Sequence, residues 1–148
     1  MDISLKEIIS ALALIFAYWK YIDIRKRELR WKRTEFLFKQ AELLDHDKDI
    51  NLATAVLDGC DPNIELEQLF DTDGNINLEV DKKYRVGFEK MCNFLDRLAY
   101  AHLTNKTIDK ADIANFGWYI ESIVNHTRVI KYCENNGFED IIKLSESY

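Results

Sequence analysis

The chain has 148 residues, 47% of them apolar, with a net charge of −6, five glycines and one proline. That length and apolar fraction suit one domain with a real core, and so few breakers and alternating Val/Ile/Thr runs point to helices and against a sheet. The charge is uneven: residues 1–33 hold 8 basic and 4 acidic side chains (+4), residues 34–148 hold 12 and 22 (−10), so a basic neck precedes an acidic body and no nucleic acid is expected as a partner.

The first element is a helix predicted from about Ser4 to Leu44. Ile8 to Trp19 are 12 residues without a charge, and only Ser10 and Tyr18 carry a polar group. Apolar residues occupy every side of that helix rather than one stripe. Twelve residues make about 18 Å, short of a hydrocarbon core roughly 30 Å thick. A crossing therefore draws on Ile3 and Leu5 before the run and on Ile22 and Ile24 after it. Lys6 and Glu7 would lie near one headgroup layer, with Lys6 and Lys20 snorkelling and the bilayer thinning locally. Tyr18, Trp19 and Tyr21 form an aromatic belt at the other layer. The expected membrane anchor comprises Ile8, Ile9, Leu12, Leu14, Ile15, Phe16, Tyr18, Trp19 and Tyr21. Ala13 and Ala17 make a small-xxx-small pair through which two anchors can approach, so homo-oligomerisation through this helix is expected.

Of the 14 residues from Lys20 to Arg33, 7 are basic and 2 acidic. Lys20, Arg25, Lys26, Arg27, Arg30, Lys32 and Arg33 form this flank. The positive-inside rule then sets the N-terminus outside and the C-terminal domain in the cytoplasm, on the inner (cytoplasmic) membrane. Positive charge after the apolar run, not before it, argues against a cleaved signal. The competing expectation is a cytoplasmic protein whose first helix belongs to a soluble core. The pairing of aromatic belt and basic flank favours the anchor, since a core helix needs neither. Three segments follow: the anchor over 1–24, a basic helical stalk over 25–44 with a Glu28–Lys32 pair, and an acidic helical bundle over 45–148.

Within the bundle, Asp47 is predicted to cap a short helix carrying Ile50, Ala53, Val56 and Leu57 and closed by Gly59. Asp61-Pro62 reads as a cap with proline at the first helical position, starting a turn that bears Ile64, Leu66 and Leu69. After DTDGN a long helix is expected from about Leu78 to Leu103, with Tyr84, Phe88, Met91, Cys92, Leu95, Leu98 and Ala99 on its apolar line. Thr107 or Asp109 caps a helix with Ile113, Phe116, Ile120, Ile123 and Val124. Val129, Ile130 and Cys133 belong to a further turn ended by Asn135-Asn136-Gly137. Phe138, Ile141, Ile142 and Leu144 form the last short helix.

Residue types with chemical potential are scattered. Asp71, Asp73 and Asn75 fall at the first, third and fifth positions of a calcium loop, but Ile76 and Lys82 stand where glycine and glutamate are needed, so a plain Asp/Gly turn is expected. In Asp45-His46-Asp47-Lys48-Asp49 the residues are consecutive and an Asp-rich helix boundary accounts for them. His102 and His126 sit near helix ends. Cys60, Cys92 and Cys133 share no metal spacing and suit reduced, mostly buried thiols. Arg97 either links helices through a carboxylate or is solvated. Trp118 and Tyr119 are core aromatics or an exposed interaction patch. No nucleophile motif, P-loop, zincin or dinucleotide fingerprint is present. No catalytic residue, cofactor or metal is therefore expected, and no enzymatic activity.

The order of RELRWKRTEFLF, ATAVLDG, FEKMCNFLDRLAY, NFGWYI and YCENNGFEDII after an apolar N-terminus resembles an uncharacterised bacterial family of small proteins with one N-terminal membrane helix and a helical cytoplasmic domain. The resemblance implies a bacterial source and supports the anchor; it carries no functional residue. The expected function is that of a non-enzymatic, membrane-anchored helical protein acting by protein–protein interaction or self-assembly. A small membrane effector in a stress or phage-defence system is the second expectation. The third is a soluble ligand-binding module or enzyme drawing on Cys92, His102 and Glu89.

Overall fold

The computed structural model of the protein describes residues 5–146. It is all-helical, with eight helices among the described residues: α1 (Leu5–His46), α2 (Lys48–Leu57), α3 (Leu66–Leu69), α4 (Lys82–Leu103), α5 (Lys110–Ala114), α6 (Gly117–Val124), α7 (Thr127–Asn135) and α8 (Glu139–Ser145). Ile3, drawn into the expected crossing, and Ser4, the expected start of the first helix, lie outside the described residues, as does the side chain of Glu7. The chain divides into two units, Met1–Phe38 and Lys39–Tyr148, and the division falls inside α1.

In the first unit α1 is held by its own ladder and by ion pairs along its surface. Lys32 Nζ lies 2.8 Å from Glu28 Oε1, and Arg25 reaches the other oxygen of the same carboxylate at 3.3 Å. Arg27 pairs with Asp23 one turn back. The Lys32 and Arg25 hydrogen bonds hold the Glu28 carboxyl below its usual range. Such exposed pairs support a helix by a few tenths of a kcal/mol each, about 0.2–0.5.

In the second unit α4 is the central element. Phe88, Met91, Cys92, Leu98 and Ala99 are fully buried at helical spacing, packed by α2, α5 and α8. Gly87 sits where α4 meets the first turn of α2: a Cβ there would stand 2.3 Å from the Asp49 carbonyl oxygen. Only a residue without a side chain lets the two backbones approach so closely. Aromatic side chains knit the other contacts. Phe70 meets Phe88 edge-on at 5.0 Å and Tyr132 at 5.2 Å, while Phe94 meets Phe116 at 5.8 Å. Each such pair adds about 0.5–1.5 kcal/mol beyond the area it buries.

Caps follow the chain in part. Asp47 accepts from the Asp49 and Ile50 amides at 2.9 and 3.2 Å and so starts α2, and Gly59 at φ +65° ends it. Asp61-Pro62 starts no helix. Asp61 Oδ1 instead accepts from the Asn63 amide at 2.8 Å, and the single turn α3 begins three residues later, where the Gln68 side chain accepts from the Glu65 amide. The Asp carboxylate spends itself on a local turn before a helix can form. α4 begins at Lys82 under an Asp81 cap, four residues after the expected start, and Leu78 stays 74% exposed in the preceding turn.

The predicted helix after Asp109 is two. Asp109 caps α5 in a reciprocal box with Asp112, with both amides bonded at 2.9–3.0 Å. Bonds of the tighter i to i−3 type at Asn115 and Phe116 then break the ladder before α6.

Candidate functional site

Fourteen residues of α1 carry the most unusual surface of the chain. Ile8, Ile9, Leu12, Leu14, Ile15, Phe16, Tyr18, Trp19 and Tyr21 are all exposed, from 46% at Ile8 to 72% at Leu14. Their angular positions surround most of the helix, leaving Ser10, Ala13 and Ala17 along the remaining strip. Below this shell the basic flank begins. Its acids Asp23 and Glu28 are engaged by Arg27, Arg25 and Lys32, whereas Lys20, Lys26 and Arg30 make no ion pair among the described residues. Among the described residues no helix is long and apolar enough to cross a membrane. The expected transmembrane helix is corrected to that extent: Glu7 on one side and Lys20 on the other confine the uncharged run to 12 residues and about 18 Å.

Trp118 and Tyr119 pack against each other edge to face at 4.9 Å. Neither is core. Trp118 is 43% exposed, and Tyr119 is half-buried, with burial and the Asp45 and Asp58 carboxylates pushing its phenol up. The interaction-patch expectation thus has an exposed indole to rest on, on a small area.

The groups with chemical potential do not converge. Cys92 Sγ lies 3.8 Å from Cys133 Sγ, both thiols free and wholly buried; the Cys133 contact and burial push the Cys92 thiol well up. Cys60, expected among mostly buried thiols, is exposed. The His102 ring reaches the Ile108 carbonyl at 3.3 Å instead of a thiol or carboxylate. In the DTDGN loop Asp71 accepts from the Asp73 and Asn75 amides and from the Asn75 side chain at 2.8–3.0 Å, and Gly74 takes φ +79°. The Asn75 side-chain and backbone donors hold the Asp71 carboxyl low. Its oxygens are committed to the turn, and no group of three metal-ligating side chains occurs among the described residues. Arg97 is exposed. A cleft of about 550 Å³ is walled by Asp61, Glu65, Gln68, Ile64 and His126, but Asp61 already serves Asn63 and the Tyr84 hydroxyl.

Three polar arrangements escape sequence reasoning. Lys90 of α4 lies between Asp47 and Asp49, tying the α2 cap to the central helix. Asp96 Oδ1 accepts from the Asp140 and Ile141 amides at 3.1 and 3.3 Å, so α8 is capped by another helix. Along α7, Arg128 donates to the Glu67 and Phe70 carbonyls (3.2 and 2.7 Å), Lys131 to Thr72 (2.7 Å) and Asn135 to Asp73 (2.9 Å). The i, i+3, i+7 spacing of these donors is the only trace in the sequence, and it does not name their acceptors. Compared with protein-family models, with curated proteins and with solved structures, the chain gives no match, so no relative contributes a functional residue.

Proposed function

We propose that the protein is a non-enzymatic helical module held at a membrane by α1 and acting through contacts with other proteins. The carrying observation is the exposed apolar shell from Ile8 to Tyr21. Each of its large side chains leaves about 1–2 kcal/mol of burial unrealised, on the order of 10 kcal/mol in all. A protein partner covers one face of a helix, whereas this shell surrounds most of the helix, and lipid covers every side. The basic flank adds attraction to an anionic leaflet, about 1 kcal/mol for each Lys or Arg near the surface.

An uncharged run of about 18 Å crosses only where the bilayer thins and Lys6 and Lys20 extend outward. The flank then sets the N-terminus outside and the second unit in the cytoplasm. The test is fractionation of cells expressing the full chain without detergent. Recovery with the pelleted membranes, resistant to alkaline carbonate, supports the reading. A protein that stays in the supernatant ends it.

A further inference from the structure

Beyond the shell, α1 still exposes large apolar side chains. Ile24 is 55% exposed, and Trp31 and Phe38 are each 72% exposed. They recur every seven residues, which sets them along one face of a helix. The same row continues upward through Ala17 and Ser10, with Ala13 beside it. The row is thus small where lipid would surround it and large where water does. Helix pairs need that distribution: inside a bilayer close backbone approach holds them, and outside it apolar burial does. Lipid does not reach the lower half, since Phe38 lies about 28 Å along the helix from Trp19. A second heptad row, Ile8, Ile15, Ile22, Leu29 and Phe36, is exposed at Ile8, Ile15 and Leu29 but half-buried at Ile22 and Phe36. Ile24, Trp31 and Phe38 form the row whose large side chains are all exposed.

We propose that α1 pairs with α1 of a second copy as a parallel two-stranded coil along the face Ser10, Ala17, Ile24, Trp31 and Phe38. The proposal deepens the membrane reading, and its upper half rests on it. With Ile24, Trp31 and Phe38 at the a positions of a heptad, Arg30 and Glu35 take flanking g and e positions, which face each other across a parallel pair. Arg30, without an ion pair among the described residues, then comes beside Glu35 of the second copy on both edges of the seam, a carboxylate that also has an interaction within its own chain. Lys20 and Arg27 fall at d positions, where cations cost stability but discourage wider assemblies. Arg27 is already drawn along the helix by Asp23. A parallel arrangement is also what two chains entering one membrane from the same side require.

The test uses the full chain with Cys60→Ser, in membranes and in detergent micelles, carrying one added cysteine: Ile24→Cys, Trp31→Cys, Phe38→Cys or, off the face, Leu29→Cys. Mild oxidation is expected to give disulfide dimers at positions 24, 31 and 38 several-fold above position 29 and above the Cys60→Ser parent. Crosslinking as strong at 29, or at none of the four, overturns the proposal. Trp31→Glu with Phe38→Glu is expected to halve the particle mass by light scattering with helix content kept, and an unchanged mass overturns it equally. Sedimentation with membranes is scored separately, so dimers in the supernatant reject attachment and keep the seam, while pelleted monomers do the reverse.

Discussion

Gly87→Ala probes the fit between α2 and α4 through the sign of its effect. The new methyl would stand 2.3 Å from the Asp49 carbonyl oxygen, 3.2 Å from its carbon and 3.4 Å from the Ala53 Cβ. The nearest obstacle is main chain in the first turn of α2, not a side chain that can swing away. One helix must withdraw by the better part of an ångström, and overpacking of this kind costs about 1–3 kcal/mol. Against it stands the gain of alanine over glycine inside a helix, about 1 kcal/mol. Because backbone opposes backbone, the steric cost belongs at the upper end of its range, and a net loss of about 1–2 kcal/mol is expected. The movement also draws Lys90 from Asp47 and Asp49, but an exposed ion pair adds little. Urea unfolding followed by circular dichroism should show a lower midpoint at unchanged slope. Gly117→Ala is the control, since nothing lies within 4 Å of its Cβ position, and it should leave the midpoint unchanged or raise it. If Gly87→Ala raised the midpoint, or matched the control, the close approach of α2 and α4 would be refuted.

Asp96→Ala removes the acceptor of the Asp140 and Ile141 amides and should cost about 1 kcal/mol, with hydrogen exchange at those two amides accelerating more than at α4. Burial pushes the Asp47 carboxyl up, but the Lys90 hydrogen bond and the Ile50 and Asp49 amides together outweigh it and hold the group low. A depressed folded pKa means its contribution is complete above the unfolded value, about 3.9, and fades as pH falls through the lower folded one. Asp47→Asn should therefore flatten stability against pH below about 4 in acid titrations, and an unaltered profile would contradict this. Arg128→Met deletes the donors to the Glu67 and Phe70 carbonyls and should cost about 1–2 kcal/mol in denaturant melts.

What could be read from the residues divides along a physical line. The Asp47 cap, the Gly59 stop, the Glu28–Lys32 pair and the apolar line of α4 are local or periodic, and all stand in the structure. The break between α5 and α6 is invisible to periodicity, because one tightened turn at Asn115 and Phe116 keeps Ile113, Phe116, Ile120 and Ile123 all facing the core. Asp61 could cap either a helix or a local turn, and propensity alone does not separate them. The Asp96 cap of α8 joins residues 44 positions apart, a distance no local signal spans. For the candidate site, an uncharged run suits a lipid-facing helix and a buried core helix alike, so the exposure of Ile8 to Tyr21 is visible only in the structure. The same holds for Trp118, because helical spacing fits a core position and a rim position equally well.

The donors of α7 grip oxygen atoms of the main chain between Glu67 and Asp73, and the one side chain of that segment near the grip is Asp73, whose exposed carboxylate lies 3.9 Å from Lys131 Nζ. Mutational tolerance in this corner should therefore be lopsided. Glu67 and Thr72 are free to drift in identity as far as this contact is concerned, because every amino acid presents the same carbonyl. Arg128 and Lys131 have no such freedom, nor does Gly74, whose Cβ would stand 2.5 Å from Lys131 Cβ and from the Tyr132 nitrogen.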